Sequence, residues 1–134
     1  HWQVIKWGHG VSLLKLKLET GRTHQIRVHL ASRMMPVLGD RVYGWTKKRE
    51  MELIPHHETA LIQAVSRVER QMLHATKLQF RHPSADRNMI FEAPVPPDMA
   101  VLIDAITPLT SQQEMEDQAQ RRQLDTDDFD AIGN

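Results

Sequence analysis

The feature that most constrains the fold is a change of hydrophobic period next to Gly21. From residue 12 to residue 19 leucines alternate with mostly charged side chains, a pattern typical of a strand with one buried face. After Gly21 apolar side chains recur four residues apart, which favours a helix over residues 23–33 with Thr23 as its N-cap. The sequence therefore predicts a strand followed directly by a short helix.

Further patterns along the chain predict the remaining elements. Residues 36–44 contain two glycines and a proline, which is typical of an ordered loop, and we expect Asp40 to satisfy backbone donors within it. Residues 45–71 are polar with a weak helical pattern, so we expect a mobile insertion with one helix. Alternating apolar residues within 76–91 predict a hairpin, and a helical apolar stripe predicts a helix over 98–106, capped by its first residue, an aspartate.

Composition describes one ordinary domain and excludes several classes of protein. The chain has 134 residues, 40% of them hydrophobic and 25% charged, which is enough for one core. It has no cysteine, so disulfides, thiolate metal sites and thiol nucleophiles are excluded. The absence of cysteine leaves the redox compartment open, and a cytoplasmic location is the default expectation. No apolar run approaches the roughly 20 residues of a membrane-spanning helix, so we expect no membrane partner. Because the chain does not begin with methionine, we expect a fragment or a processed chain.

The charges cancel over the whole chain but are unevenly distributed. Residues 1–50 have 10 Lys/Arg and 3 Asp/Glu, a net charge of +7, whereas residues 51–106 have −2 and residues 107–134 have −5. A basic first third suits a polyanion, and nucleic acid is therefore a possible partner, although the same residues could simply be a solvated face. The acidic segment over 107–134 is expected to be disordered or a loosely packed helix.

Several short motifs, in one order, resemble those of a known enzyme family. They are Leu18-Glu19-Thr20-Gly21-Arg22-Thr23-His24-Gln25-Ile26-Arg27-Val28-His29-Leu30, Pro36-Val37-Leu38-Gly39-Asp40, Tyr43-Gly44, Leu73-His74-Ala75, His82-Pro83, Glu92-Ala93-Pro94 and Pro97-Asp98-Met99. Together they resemble the RluA-type RNA pseudouridine synthases from about residue 12 to residue 106. Within that family the likeness is greatest to the members that modify large-subunit, 23S-type ribosomal RNA.

The resemblance implies a fold and a reaction. It implies an α+β fold with a mixed, largely antiparallel sheet and short helices, of which residues 1–106 are the C-terminal part of the catalytic domain. It also implies isomerisation of uridine to pseudouridine in RNA, with no metal and no organic cofactor. The family's catalytic aspartate lies in a His-Arg-Leu-Asp-type motif that these 134 residues do not contain. The missing N-terminal part of the domain is therefore an expected partner, and the chain alone is expected to be inactive.

The resemblance assigns Arg27 to an ion pair with that absent aspartate. The role suits a guanidinium, because a planar, permanently charged donor holds both oxygens of a carboxylate and keeps it ionised. The alternative is that Arg27 is an ordinary surface arginine on a helix, with no role in catalysis. The expected RNA contacts are Arg22, Thr23, His24, Arg33, Lys47, Lys48 and Arg49, for which a helix cap, hydrogen-bonded histidine or solvated cation is the alternative.

Two other functions fit parts of the pattern. A non-catalytic RNA-binding module on the same scaffold would retain the basic surface without the reaction. A histidine-based metallohydrolase is poorly supported, because His24 and His29 are five residues apart and so lie on different faces of a helix. His56-His57 beside Glu58 are neighbours in a polar loop, a pattern that usually carries no metal, so no metal site is predicted.

Overall fold

The computed structural model describes residues 1–108, which form four helices and two separate two-stranded antiparallel sheets. The α+β class is therefore confirmed. In chain order the elements are β1 (Trp2–Gly8), β2 (Val11–Leu16), α1 (Gln25–Ser32), α2 (Lys47–Leu53), α3 (Thr59–Ser66), β3 (Lys77–Arg81), β4 (Asn88–Glu92) and α4 (Pro97–Ala105). No helix among them is long and apolar enough to cross a membrane. The acidic segment predicted over 107–134 lies, after residue 108, outside the described residues.

The first hairpin joins β1 to β2, with Trp2 opposite Leu16 at its open end and a bulge between Val4 and Lys6. The strand predicted over 12–19 is β2, although it ends earlier, at Leu16. β1 was not predicted, but its side chains alternate in burial over most of its length, as expected of a half-buried strand.

The turn of this hairpin consists of His9 and Gly10, which have φ values of 44° and 85°. A two-residue turn of this kind needs positive φ at both positions, which suits the twist of the flanking strands. The turn also lies directly against the end of α2, because a Cβ on Gly10 would lie 2.2 Å from the carbonyl oxygen of Leu53. Only glycine fits at that position.

The predicted helix after Gly21 is α1, but its predicted cap is wrong. The N-cap is His24, in the left-handed region with φ 54°, and no side chain caps the helix there. The chain turns back before the helix instead, with the Gln25 side-chain oxygen accepting hydrogen bonds from the Arg22 backbone and the Thr20 hydroxyl. Thr23 lies within this turn and is exposed.

Residues 45–71 contain two helices, not the one helix predicted. α2 begins after Thr46, whose hydroxyl accepts a hydrogen bond from the Arg49 backbone at 3.2 Å, as an N-cap does. Most of the buried apolar cluster also comes from this segment, so it is part of the core. The cluster consists of Ile54, Leu61, Ala64, Val65, Leu102 and Ile106. The segment reaches the core through the apolar face of α3. The mobility that we expect of residues 45–71 stays a prediction.

The last two predicted elements are present. The hairpin predicted within 76–91 is β3–β4, and the helix predicted over 98–106 is α4, which packs against α3. The cap predicted for α4 is wrong: Pro96 is the N-cap, and Asp98 lies in the first turn, where it binds Arg70. Pro97 occupies the first helical position, where its fixed φ suits the helix and its missing N–H leaves one donor fewer without a partner.

Candidate functional site

A buried ion pair with two hydrogen bonds joins α1 to the loop that follows it. Arg27 donates from Nε to Asp40 Oδ2 at 2.6 Å and from Nη2 to Asp40 Oδ1 at 2.9 Å. The side chain of Asp40 is 1% exposed and that of Arg27 is 11% exposed. Such a two-point bond fixes the plane of the guanidinium as well as its position.

The loop over 36–44 holds Asp40 in place from both sides. The Asp40 backbone N–H donates to Val37, the Asp40 carbonyl accepts from Trp45, and Asp40 Oδ1 also accepts from the Tyr43 backbone at 3.2 Å. The predicted role of Asp40 as an acceptor for loop donors is thus confirmed. Gly39 is required beside it, because φ is 78° and a Cβ would lie 2.2 Å from the Arg70 carbonyl oxygen.

An aromatic ring covers one face of the guanidinium. Arg27 Cζ lies 4.8 Å from the centre of the Tyr43 ring, a distance at which the cation is attracted to the ring face. The Tyr43 hydroxyl lies 3.0 Å from Nδ1 of His24, and the two rings meet edge to face. His24, Arg27, Asp40 and Tyr43 therefore form one connected group, which we call the Arg27 cluster.

The electrostatics of the cluster favour its charged form. The two hydrogen bonds from Arg27 hold the pKa of Asp40 below its usual value, against the opposing effect of burial, and the Tyr43 backbone contributes in the same direction. The hydrogen bonds to Asp40 in turn raise the pKa of Arg27. Both groups are therefore charged at any pH near neutrality.

Asp40 uses only part of the hydrogen-bonding capacity of Arg27. A guanidinium has five N–H donors, and the bonds from Nε and Nη2 occupy one side of the fork. The Nη1 donors and the second Nη2 donor lie at the end of the fork, away from Asp40. A guanidinium can bind a further carboxylate or a phosphate through donors of this kind.

The other predicted site residues surround the cluster unevenly. Arg22 and Thr23 are exposed in the turn before α1, beside His24, and Arg33 is the half-buried C-cap of that helix. On α2, Lys47 Nζ lies 3.3 Å from Glu50 Oε1, and Lys48 Nζ lies 3.7 Å from Glu52 Oε1.

Arg49 differs from the two lysines that precede it. It donates to the carbonyl oxygens of Met34 at 2.8 Å and Gly44 at 3.5 Å, and so joins α2 to both ends of the loop over 36–44. This contact makes Arg49 a brace for the loop that holds Asp40. Its expected contact with RNA stays a prediction.

Sequence reasoning missed the partner of Arg27 within the chain. Asp40 lies 13 residues away, and no helical or strand spacing relates the two positions. It also missed the ion pair between Arg70 and Asp98, which are 28 residues apart. The only available signals were an aspartate inside a glycine-rich loop and one in a helical first turn, and neither identifies a partner.

The segment that contains Arg27 matches known proteins. The profile of the family described as RNA pseudouridylate synthase matches residues 1–32, a range that contains Arg27. Ribosomal large subunit pseudouridine synthase D of Nitrosomonas europaea is 45% identical over 106 residues, which are 79% of this chain and 28% of that protein. The chain belongs to the RNA pseudouridine synthase family. The resemblance found in its motifs is thereby confirmed.

Other pseudouridine synthases match to a similar extent. Ribosomal large subunit pseudouridine synthase D of Escherichia coli K12 is 39% identical over 106 residues, which are 79% of this chain and 31% of that protein. The chloroplastic RNA pseudouridine synthase 2 of Arabidopsis thaliana is 40% identical over 101 residues, which are 72% of this chain and 24% of that protein. The chain thus spans less than a third of the length of these pseudouridine synthases.

Proposed function

We propose that the chain is part of an enzyme that isomerises uridine to pseudouridine in large-subunit ribosomal RNA, and that Arg27 holds its catalytic aspartate in the charged form. That aspartate comes from a segment outside the 134 residues, which contain no His-Arg-Leu-Asp-type motif. The chain alone is accordingly inactive. The enzyme acts in the cytoplasm and uses no metal or organic cofactor for the reaction.

The observation that supports this role is that, within residues 1–108, Asp40 takes only the Nε donor and one Nη2 donor of Arg27. Asp40 fixes the guanidinium from one side, and Tyr43 covers a face of it. Because Asp40 already balances the charge of Arg27, a second carboxylate gains from hydrogen bonds at short range rather than from net charge. Hydrogen bonds to the ionised form lower the pKa of a carboxyl group, which is what a nucleophile or base requires.

The reaction itself rearranges one nucleoside. The bond between C1′ of the ribose and N1 of the uracil breaks, the base turns, and C5 forms a new bond to C1′. The proton on C5 leaves, and N1 gains one, so the atoms balance without an external reagent. A carboxylate can assist as nucleophile on the sugar or as base, and in both cases it must be ionised.

The turn before α1 is the proposed docking point for RNA phosphates. Arg22, Thr23 and His24 are exposed there, at the end of a helix where backbone N–H groups favour an anion. Lys47 and Lys48 on α2, with Arg33, extend the basic surface. Phosphate contacts of this kind offset the few kcal/mol needed to extrude a stacked uridine into a pocket.

The direct test measures release of tritium from C5-labelled uridine in large-subunit ribosomal RNA. The 134-residue chain is expected to give no turnover. In the parent protein, Arg27→Lys is expected to lower kcat on the order of 100-fold, because lysine lacks the planar pair of donors. The acidic limb of the plot of kcat against pH should move to higher pH. Arg70→Lys, in a second arginine–aspartate pair, is the matched control and should leave kcat unchanged.

Three outcomes would contradict the proposal. Turnover by the chain alone would show that no outside aspartate is needed. An unchanged kcat and pH profile for Arg27→Lys would remove Arg27 from the site. Salt-sensitive RNA binding by a parent that neither contains the aspartate motif nor isomerises uridine would favour the non-catalytic RNA-binding module.

A further inference from the structure

Three potential metal ligands, none of them part of the Arg27 cluster, meet at the turn between β1 and β2. His9 lies in that turn, whereas His57 and Glu58 immediately precede α3. Glu58 Oε1 lies 3.1 Å from His9 Nε2 and 3.4 Å from His57 Nε2. One ligand atom from each of the three residues lies within 4.8 Å of the others.

The backbone brings these residues together before any ion binds. Gly10 abuts the Leu53 carbonyl, and a Cβ on Gly8 would lie 1.9 Å from the Thr107 carbonyl oxygen, so the hairpin end is seated against two segments. The His9 ring lies against the His57 ring, edge to face, with the two ring centres 5.5 Å apart. The site therefore joins parts of the chain that are almost 50 residues apart.

Burial differs among the three side chains in a way that suits ion binding. Those of His9 and Glu58 are 19% and 13% exposed, whereas that of His57 is 72% exposed. Two ligands are thus held by their surroundings, and the third is able to turn. An exposed imidazole also leaves a route from solvent to the site.

We propose that His9, His57 and Glu58 form a site for a divalent transition metal of the Zn²⁺ class, with water as the fourth ligand. Imidazole nitrogen and carboxylate oxygen are ligands that Zn²⁺ accepts at about 2.0–2.2 Å. Tetrahedral bonds of that length place the ligand atoms roughly 3.4 Å apart. The two distances to Glu58 Oε1 are close to this separation, and rotation of His57 closes the remaining gap.

Metal binding exchanges the hydrogen bonds of the cluster for metal bonds. Without metal, the imidazole Nε2–H groups can donate to Glu58; with metal, Nε2 of each histidine must be unprotonated. The bound ion ties the hairpin turn to the start of α3, next to the apolar core, and so stabilises the folded chain by mass action.

The test titrates the full 134-residue chain with Zn²⁺ by calorimetry and with Co²⁺ by visible absorption, which reports coordination geometry. We expect one ion per chain, a tetrahedral Co²⁺ spectrum and a rise in Tm with metal concentration. His9→Asn removes a ligand and keeps the turn, because asparagine before glycine suits positive φ at both positions. His9→Asn and His57→Ala are each expected to weaken binding roughly tenfold or more.

His56→Ala is the matched control, because His56 is exposed, adjacent in sequence and absent from the cluster. It should bind Zn²⁺ as the unchanged chain does. Equal loss in His56→Ala and His57→Ala, or unchanged affinity in His9→Asn, would show surface binding only and overturn the proposal. So would a chain that takes up no Zn²⁺ at micromolar concentrations. These outcomes are independent of uridine isomerisation.

Discussion

Arg70 binds Asp98 with the same two-point hydrogen bond that joins Arg27 to Asp40, at 2.8 and 2.9 Å. The two pairs differ in their surroundings. Arg70 and Asp98 are both more than a third exposed, whereas the carboxylate of Asp40 is enclosed by its loop. Because the hydrogen bonds of the two pairs are alike and only burial differs, comparing the pairs separates the effect of burial on stability from that of hydrogen bonding.

Replacing the buried aspartate is expected to cost more stability than replacing the exposed one. In Asp40→Asn an amide replaces the carboxylate, so one of the two accepting oxygens becomes an NH2 group that faces the donors of Arg27 or the loop. The substitution also leaves Arg27 without a counter-charge. We expect Tm to fall by at least about 5 °C, compared with at most about 2 °C for Asp98→Asn, whose partners can be hydrated. Thermal unfolding of the two variants checks this. Equal losses would show that burial of Asp40 has no energetic effect.

The same pair makes stability depend on pH on the acidic side. The pKa of Asp40 lies below its ordinary value in the folded chain, so the unfolded chain binds the proton more tightly. The contribution is complete above the ordinary aspartate pKa of about 4 and is lost as the pH falls through the lower folded value. Arg27 stays charged throughout.

Urea unfolding at a series of pH values between 7 and 2 tests this sign. The difference in unfolding free energy between the unchanged chain and Asp40→Asn is expected to be constant above pH 5 and to shrink below about pH 4. Asp98, whose pKa Arg70 also lowers, contributes in the same direction, so the comparison must be made with Asp40→Asn. A difference that grows on acidification would contradict the assignment.

The hydrophobic periodicity of the sequence predicted several of the strands and helices. Alternation gave β2 and the β3–β4 hairpin, and a four-residue apolar period gave α1 and α4, because side-chain direction repeats along each element. The predicted caps were wrong because the chain enters both helices differently: His24 is left-handed at the start of α1, and Pro96 precedes α4.

The contacts of the candidate site could not be predicted in the same way. Arg27 was selected by family resemblance, but its bond to Asp40 depends on how the loop over 36–44 returns to α1. Likewise, His57 and Glu58 were noted as neighbours, and His9 joins them only because the hairpin turn lies against α2. Contacts between residues far apart in the sequence depend on tertiary packing, and no periodicity in the sequence predicts them.

Two threonines test where α1 and α2 begin. Thr46 accepts the Arg49 backbone hydrogen bond at the N-terminus of α2, so Thr46→Ala is expected to lower the unfolding free energy by about 1 kcal/mol. Thr23→Ala should change it by less than about 0.5 kcal/mol, since Thr23 is exposed and caps nothing. Urea titrations of both variants decide the matter. A larger loss at Thr23 would restore it as the cap of α1.

Neighbouring residues on α4 test where the core lies. Leu102 is buried against α3 and Val101 is 53% exposed, although both are apolar and only one position apart. Leu102→Ala leaves a cavity that rigid neighbours fill incompletely, and we expect a loss of about 2–5 kcal/mol. Val101→Ala should change stability by less than about 0.5 kcal/mol, because alanine has the higher helix propensity and little packing is removed. Denaturant unfolding of both variants measures the contrast, and a loss at Val101 equal to that at Leu102 would mean that another surface covers α4 in solution.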